Sequence, residues 1–223
     1  MSQEIRSALD VIFSAGAEIY KSRGFQRKLG FGVRPALVNI DLANAWTQPD
    51  GAFACDNMDD VIGAVQRLLL VSRKQSIPVI FTSIAYAMVD GDHSDMGLLA
   101  QKVPIDCLKL GSDAVTIDSR VAPRPDELVV IKKNASAFHG TFLSSYLHMH
   151  GVDTVIFTGV TMAGCVRHTV EDAIAEGFRP IVVREAVSDR IPGATEWNLF
   201  DIDAKFGDVE SLSTTVEYLE RLK

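Results

Sequence analysis

The sequence predicts an α/β protein: a doubly wound, mostly parallel, Rossmann-like sheet with helices on both faces, preceded by an N-terminal helical arm. Three observations carry this. Short runs rich in β-branched and apolar residues (Ala36 to Asp41, Pro78 to Ser83, Glu127 to Ile131, Thr154 to Thr158, Pro180 to Val183) alternate with longer stretches whose apolar residues recur at helical spacing. Such alternation implies parallel strands joined by right-handed crossover helices. The run at Thr154 feeds its helix through a tight turn, Gly159-Val160-Thr161-Met162-Ala163-Gly164. Finally, 223 residues with 47% hydrophobic and 23% charged side chains supply one ordinary core.

Each element has its own justification. Ile5, Ala8, Leu9, Ile12, Phe13, Ile19 and Tyr20 fall on one helical stripe with Glu4, Arg6, Asp10 and Glu18 largely off it, although Gly16 weakens that helix. This arm and its loop fill residues 1–29, covering their own domain or packing on a neighbouring subunit, and residues 30–223 form the domain proper. Gly30-Phe31-Gly32 is too short for a dinucleotide fingerprint and precedes a strand rather than following one. Ala36 to Asp41 is the first strand, and the stretch from Leu42 to Phe53, with Pro49-Asp50-Gly51, reads as loop. Met58 to Gln75 is a helix through Val61, Ile62, Val65, Leu68 and Leu69, and Pro78 to Ser83 completes a βαβ unit. Ala85 to Ser112 is mixed and polar, a loop with a short helix near Ser94 to Lys102, and Ala114 to Ile117 reads as a minor strand. Glu127 to Ile131 is a strand running into Lys132 and Lys133, followed by a helix over Gly140 to His150 and another over Ala163 to Gly177. Pro180 to Val183 is the last clear strand, and Asn198 to Phe206 and Leu212 to Leu222 are helices.

Charge narrows the function. A net charge of −7 and a pI near 5.2 oppose a nucleic-acid surface, and no basic run is interleaved with aromatics. No apolar run reaches membrane-spanning length. The expected partner is therefore a small molecule, with no nucleic acid and no membrane. Three widely spaced cysteines and no apolar leader point to a reducing cytoplasm without disulfides.

In open parallel sheets, ligands bind beyond the carboxyl ends of the strands. Three strands deliver Asp41, Lys132 and Cys165 to that edge. A thiol, a carboxylate to take its proton and an ammonium to stabilise both make an acyl-transfer centre without histidine. Cys165 stands where a helix begins, beside unpaired N–H groups and the positive end of the helix dipole, which should lower its pKa below the ~8.5 of a free thiol. The plainer alternative is that Asp41 caps a turn, Lys132 is solvated and Cys165 is a small hydrophobe. Cys55 and Cys107, with neither such a turn nor a glycine beside them, are expected to be inert.

The segments RPALVNIDLANAWTQP, KKNASAFHGT, TGVTMAGCVRHTVEDAIAEGFRP and SDRIPGATEWNLFDIDAKFGDVES together resemble the isochorismatase-like cysteine hydrolases, over about Gly30 to Ser211. What the resemblance implies is hydrolysis of the C–N bond of a small carbamoyl or amide substrate, N-carbamoylsarcosine foremost, giving sarcosine, carbon dioxide and ammonia through a Cys165 thioester or thiocarbamate. It implies that Asp41, Lys132 and Cys165 are the catalytic residues. Lys132 is preferred to Lys133 because the family lysine precedes a Ser-Ala-Phe triplet by four positions, here Ser136-Ala137-Phe138. It further implies a cis peptide at Val160-Thr161, an oxyanion hole from the N–H groups of Thr161 and Cys165, and substrate contacts from Trp46 and from Arg190, the latter to a substrate carboxylate. Val160-Thr161-Met162 departs slightly from the family turn. Metal-dependent members carry an Asp and two histidines after the second strand; this chain has Thr82-Ser83-Ile84-Ala85-Tyr86 there and only Asp90, Asp92, His93 and Asp95 later, so no metal and no cofactor are expected. His139, His148 and His150 read as surface or packing residues, while His168, one helical turn beyond Cys165, could touch the site. A homo-oligomer, dimer or tetramer, is expected. Alternatives are an amidase for another ureido acid or a maleamate-type amide, an isochorismatase acting on a vinyl ether, which needs no cysteine, and a non-catalytic ligand-binding or assembly module with an inert Cys165.

Overall fold

Alternate residues of the first strand face opposite sides, and here both sides are covered, which is why the strand reads as an unbroken apolar run. In the computed structural model, which describes residues 3–89, 92–93 and 102–222, β1 (Pro35–Ile40) is buried along its whole length. Leu37 points into one core with Phe81, Ile156, Ile181 and Val183, beneath α3 (Met58–Lys74) and α7 (Leu212–Glu220). Ala36, Val38 and Ile40 point into the other with Ile80, Phe157 and Val182, beneath α4 (Leu143–Met149), α5 (Arg167–Ala175) and α6 (Pro192–Lys205).

The main sheet has six strands, all paired in parallel, in the order β5 (Leu128–Lys132), β2 (Val79–Ile84), β1, β6 (Thr154–Val160), β7 (Arg179–Ser188), β8 (Asp208–Glu210). In the register of the centre, Leu37 lies beside Val79 on one flank and Ile156 on the other. A two-stranded antiparallel ribbon, β3 (Met88–Val89) and β4 (Asp92–His93), stands apart from it. Among the described residues, no helix is long and apolar enough to cross a membrane.

The arm is α1 (Gln3–Ser22), and it packs on its own domain: Phe13 stacks on Phe200 of α6 with ring centroids 4.8 Å apart, and Tyr20 meets the same ring at 5.8 Å. Gly16 has a packing reason to interrupt the stripe, since a Cβ there would come within 2.9 Å of Phe200.

Several expectations change. The loop after β1 contains a short helix, α2 (Asn44–Thr47). Ala114 to Ile117 is no strand but a 3-10 turn, Asp113–Val115, with one bridge between Ile117 and Ala43. The helix expected near Ser94 to Lys102 lies outside the described residues except at Lys102. β7 runs on through the charged pair Arg184 and Glu185 to Ser188, and β8 was not expected at all. Lateral pairing decides both: Val187 and Ser188 pair with Gly159 and Val160 of β6, and the three residues of β8, with an acid at each end and no periodic signal, become a strand only by pairing with Ile181 to Val183.

Candidate active site

The chain builds β1, β2 and β5 outward on one side and returns with β6 on the other flank of β1, so the order in which strands are added reverses between β1 and β6 while both stay parallel. A crevice opens at such a switch point. Asp41 leaves the end of β1 with φ 48°, and Gly159 near the end of β6 has φ 101°; a Cβ at Gly159 would collide with the Ile40 carbonyl. Lys132 is the last residue of β5. Cys165 lies in a π-helical turn, Met162–Val166, that joins β6 to α5. The sequence reading ran a helix over Ala163 to Gly177 with Cys165 in its first turn; that turn is π-helical and begins at Met162, and the α-helix starts only at Arg167. Widened turns of this kind are frequent at functional sites.

These strand ends bring the three side chains together. Asp41 and Lys132 are fully buried, Cys165 half-buried. Lys132 Nζ donates to the carbonyls of Asn134 and Ala135, both at 3.0 Å, and to Cys165 Sγ at 3.2 Å. An ammonium has three N–H bonds, and these partners use them. Its 2.8 Å approach to Asp41 Oδ2 is therefore a charge contact, and Oδ2 accepts no hydrogen bond of good geometry. The other carboxylate oxygen is tied: Thr82 Oγ1 donates to Asp41 Oδ1 at 2.7 Å and accepts the Asp41 N–H at 3.1 Å. The arrangement leaves a buried carboxylate oxygen beside the Lys132 cation and next to the Cys165 thiol. Lys133 points away, to the Ala85 carbonyl.

Burial alone would lower the Lys132 pKa, but the charges of Asp41 and Cys165 more than reverse this and hold the ammonium above the usual lysine range. For Cys165, burial is the largest influence and pushes the thiol up to about 12; Lys132 opposes the shift and the Asp41 carboxylate adds to it. The lowered thiol pKa expected from the helix start is thus overturned, because desolvation and a neighbouring anion outweigh one cation. Cys165 rests as a thiol.

Thr161 and Cys165 border a cavity of about 140 Å³. The Val160-Thr161 peptide is cis, and the Thr161 carbonyl accepts the N–H groups of Gly164 and Val166 at 3.0 and 3.1 Å. The cavity walls are aromatic and aliphatic: Trp46 on α2, Phe53, Tyr86, Ile105 and Leu108. Arg190 stands at the rim, exposed, its guanidinium 5.9 Å from the Phe53 ring, with no ion pair among the described residues. Cys55 is less remote than its sequence context indicated, since the charges of Arg190 and Cys165 both act on it; burial, the largest influence, pushes its thiol up to about 12. Cys107 is exposed, and all three cysteines are free. His168 does not line the cavity: it is exposed, with Nδ1 2.8 Å from the Gly164 carbonyl. Among the described residues, no group of three or more metal-ligating side chains comes together, and Asp90 and Asp95 lie outside them.

Sequence reasoning missed Thr82, Tyr86, Ile105 and Leu108. A signal existed for Thr82, a polar residue inside an apolar strand that buries completely. The other three come from the mixed stretch after β2, where no periodicity marks which apolar residues turn inward.

Comparison with known proteins agrees with this architecture. The chain is 50% identical over 220 residues, 98% of its length and 83% of the relative's, to an N-carbamoylsarcosine amidase of an Arthrobacter species. It is 36% identical over 198 residues, 88% of its length and 92% of the relative's, to a maleamate amidohydrolase of Pseudomonas putida. A cysteine hydrolase of Pseudomonas syringae pv. phaseolicola shares the fold with a TM-score of 0.81 at 24% identity, covering 89% of this chain and 98% of that one. The model of the isochorismatase domain matches residues 35–214, and the chain belongs to the isochorismatase family of hydrolases.

Proposed function

We propose that the protein is a cysteine-dependent amidohydrolase that cleaves the C–N bond of a small carbamoyl substrate bearing a carboxylate, with N-carbamoylsarcosine the first candidate. The observation that carries the reading is that Cys165, in hydrogen-bond contact with Lys132, opens on the same cavity as an arginine with no ion pair. Relatives named for an N-carbamoyl acid and for maleamate, both carboxylate-bearing amides, support it.

In the proposed reaction the Cys165 thiol passes its proton to Asp41 Oδ2 as Sγ attacks the carbamoyl carbon. The thiolate that this creates is stabilised by the Lys132 ammonium, which a resting thiol does not need. The oxyanion is held by the N–H groups of Thr161 and Cys165. Collapse breaks the C–N bond, and ammonia leaves with the proton held on Asp41. Asp41 then takes a proton from the water that attacks the thiocarbamate, returning Cys165 as a thiol and releasing an N-carboxy acid, which loses carbon dioxide to give sarcosine. Arg190 binds the substrate carboxylate as a fork, and Trp46 packs on the carbon skeleton. Free cysteines and a buried thiol centre suit a reducing cytoplasm, and a homo-oligomer remains the proposed assembly.

The test is ammonia release from N-carbamoylsarcosine, other N-carbamoyl amino acids, maleamate and nicotinamide. The expected order has N-carbamoylsarcosine first and nicotinamide, which lacks a carboxylate, last. Faster turnover of nicotinamide, or no ammonia from any of them, would overturn the reading.

A further inference from the structure

Asp189 sits where β7 ends and Arg190 begins, and only 5% of it is exposed. The obvious partner for a carboxylate in that position is the neighbouring guanidinium. The structure spends it otherwise. Oδ2 accepts the Ala163 N–H at 2.9 Å, and Oδ1 accepts the Arg190 N–H at 2.8 Å. Ala163 is the second residue of the π-helical turn that carries Cys165, where a backbone N–H has no partner within the turn and a negative charge is favoured. The main chain of the same segment is tied to the opposite wall: the Asp189 carbonyl accepts the Asp56 N–H at 3.0 Å, and Ser188 Oγ donates to the Asp56 carbonyl at 2.7 Å. One buried carboxylate thus joins the turn of the thiol to the backbone of the arginine and leaves the guanidinium free.

We propose that Asp189 is a positioning residue: by holding the Ala163 and Arg190 N–H groups on one carboxylate, it sets the distance from Arg190 to Cys165 and so selects substrates by the spacing between their carboxylate and their scissile carbonyl. This rests on the reading of Cys165 as nucleophile and Arg190 as carboxylate ligand. Two hydrogen bonds on one rigid, planar group define an angle as well as a distance, which a single contact would not. Displacements of about 1 Å at a reacting centre can change rates by ~10²-fold, so a loosened link should be visible in selectivity.

Asp189→Asn tests it, keeping the volume and one acceptor while aiming an N–H₂ at a backbone donor. The readout is kcat/KM for the N-carbamoyl derivatives of glycine, β-alanine and γ-aminobutyrate, which differ only in the number of methylenes before the carboxylate. The wild-type ratio between best and worst should shrink about tenfold, mainly through KM, while the rate of Cys165 alkylation by uncharged iodoacetamide stays within about twofold. In an Arg190→Met background the same substitution should leave the ratio unchanged, because nothing remains to be positioned. An equal loss on all three substrates, a matching fall in the iodoacetamide rate, or additivity with Arg190→Met would each overturn the proposal. Should the Asn variant not fold, Asp189→Ser retains an acceptor and undergoes the same measurements. If the wild type hydrolyses none of these three acids, the proposed function has failed only if N-carbamoylsarcosine and the other test substrates release no ammonia either, and Asp189 is judged separately, by the ratio of iodoacetate to iodoacetamide rates at Cys165. A fall of about fivefold in Asp189→Asn supports the positioning role, and an unchanged ratio sinks it.

Discussion

The floor of the cavity and its rim are held by different forces. The floor is Cys165 on its turn, backed by Asp41, Lys132 and Thr82, which are fully buried at or near the ends of adjacent parallel strands, with their polar groups tied to one another, to Cys165 or to backbone carbonyls. In the walls and at the rim, Trp46 comes from a four-residue helix, Phe53 from a turn, Ile105 and Leu108 from a 3-10 turn (Ile105–Cys107) and its end, and Arg190 from the loop after β7. Moving a floor residue means moving a strand within its ladder; moving a rim residue means moving a loop. Under the proposed function, the contrast teaches that the chemistry would ride on the rigid layer and the choice of substrate on the segments around it.

Substitutions should separate the two. The largest effect is expected on the floor: Cys165→Ser folds but loses ~10⁴-fold in kcat, about 5.5 kcal/mol, because a hydroxyl gives up its proton far less readily than a thiol. Turnover within tenfold of wild type would show that the floor does not carry the reaction. Lys132→Met comes next and should damage fold as well as rate, since it leaves the Asp41 carboxylate buried without its cation, at a cost of about 3–5 kcal/mol in urea unfolding. An unchanged unfolding midpoint would mean that the ion pair is not held as described.

At the rim, Arg190→Met should leave stability untouched and lower kcat/KM for carboxylate-bearing substrates by ~2–4 kcal/mol, with little change for neutral amides. Arg190→Lys should recover only part, since an ammonium lacks the bidentate fork. Equal losses on charged and neutral amides would erase the distinction between floor and rim.

The smallest effect is read through pH. With its thiol held up to about 12, Cys165 keeps its proton in the folded protein while an unfolded thiol releases it near ~8.5. Its contribution to stability is therefore complete below about pH 8.5 and is lost as the pH rises toward 12, and Cys165→Ala should blunt that alkaline loss in urea midpoints measured across the range. Iodoacetamide labelling of Cys165 should likewise keep climbing above pH 9, where an ordinary thiol levels off. A plateau at or below pH 8 would restore the low thiol pKa that the helix start by itself suggests.

Much of the floor was legible. Periodicity marked the central strands, and the residues at their carboxyl ends, Asp41, Lys132 and Cys165, stand out because each ends or follows an apolar run. The resemblance supplied Arg190 and Trp46, both of which border the cavity. Tyr86, Ile105 and Leu108 were not legible, because apolar residues in an irregular stretch carry no repeating pattern to say which side they bury. Asp189 was not legible either, since nothing local reveals that its acceptors face a backbone N–H on another turn.

The sequence by itself determined the α/β class, the parallel central strands and which residues stand at or just beyond their carboxyl ends, because alternation and helical spacing are local properties of the chain. Only the tertiary structure decided the edge strand β8, the ionisation of Cys165 and the linkage through Asp189. Each depends on neighbours distant in sequence: a strand is made an edge by what lies beside it, a thiol is kept protonated by burial and an anion from another strand, and a carboxylate acts through the donors that the fold brings to it.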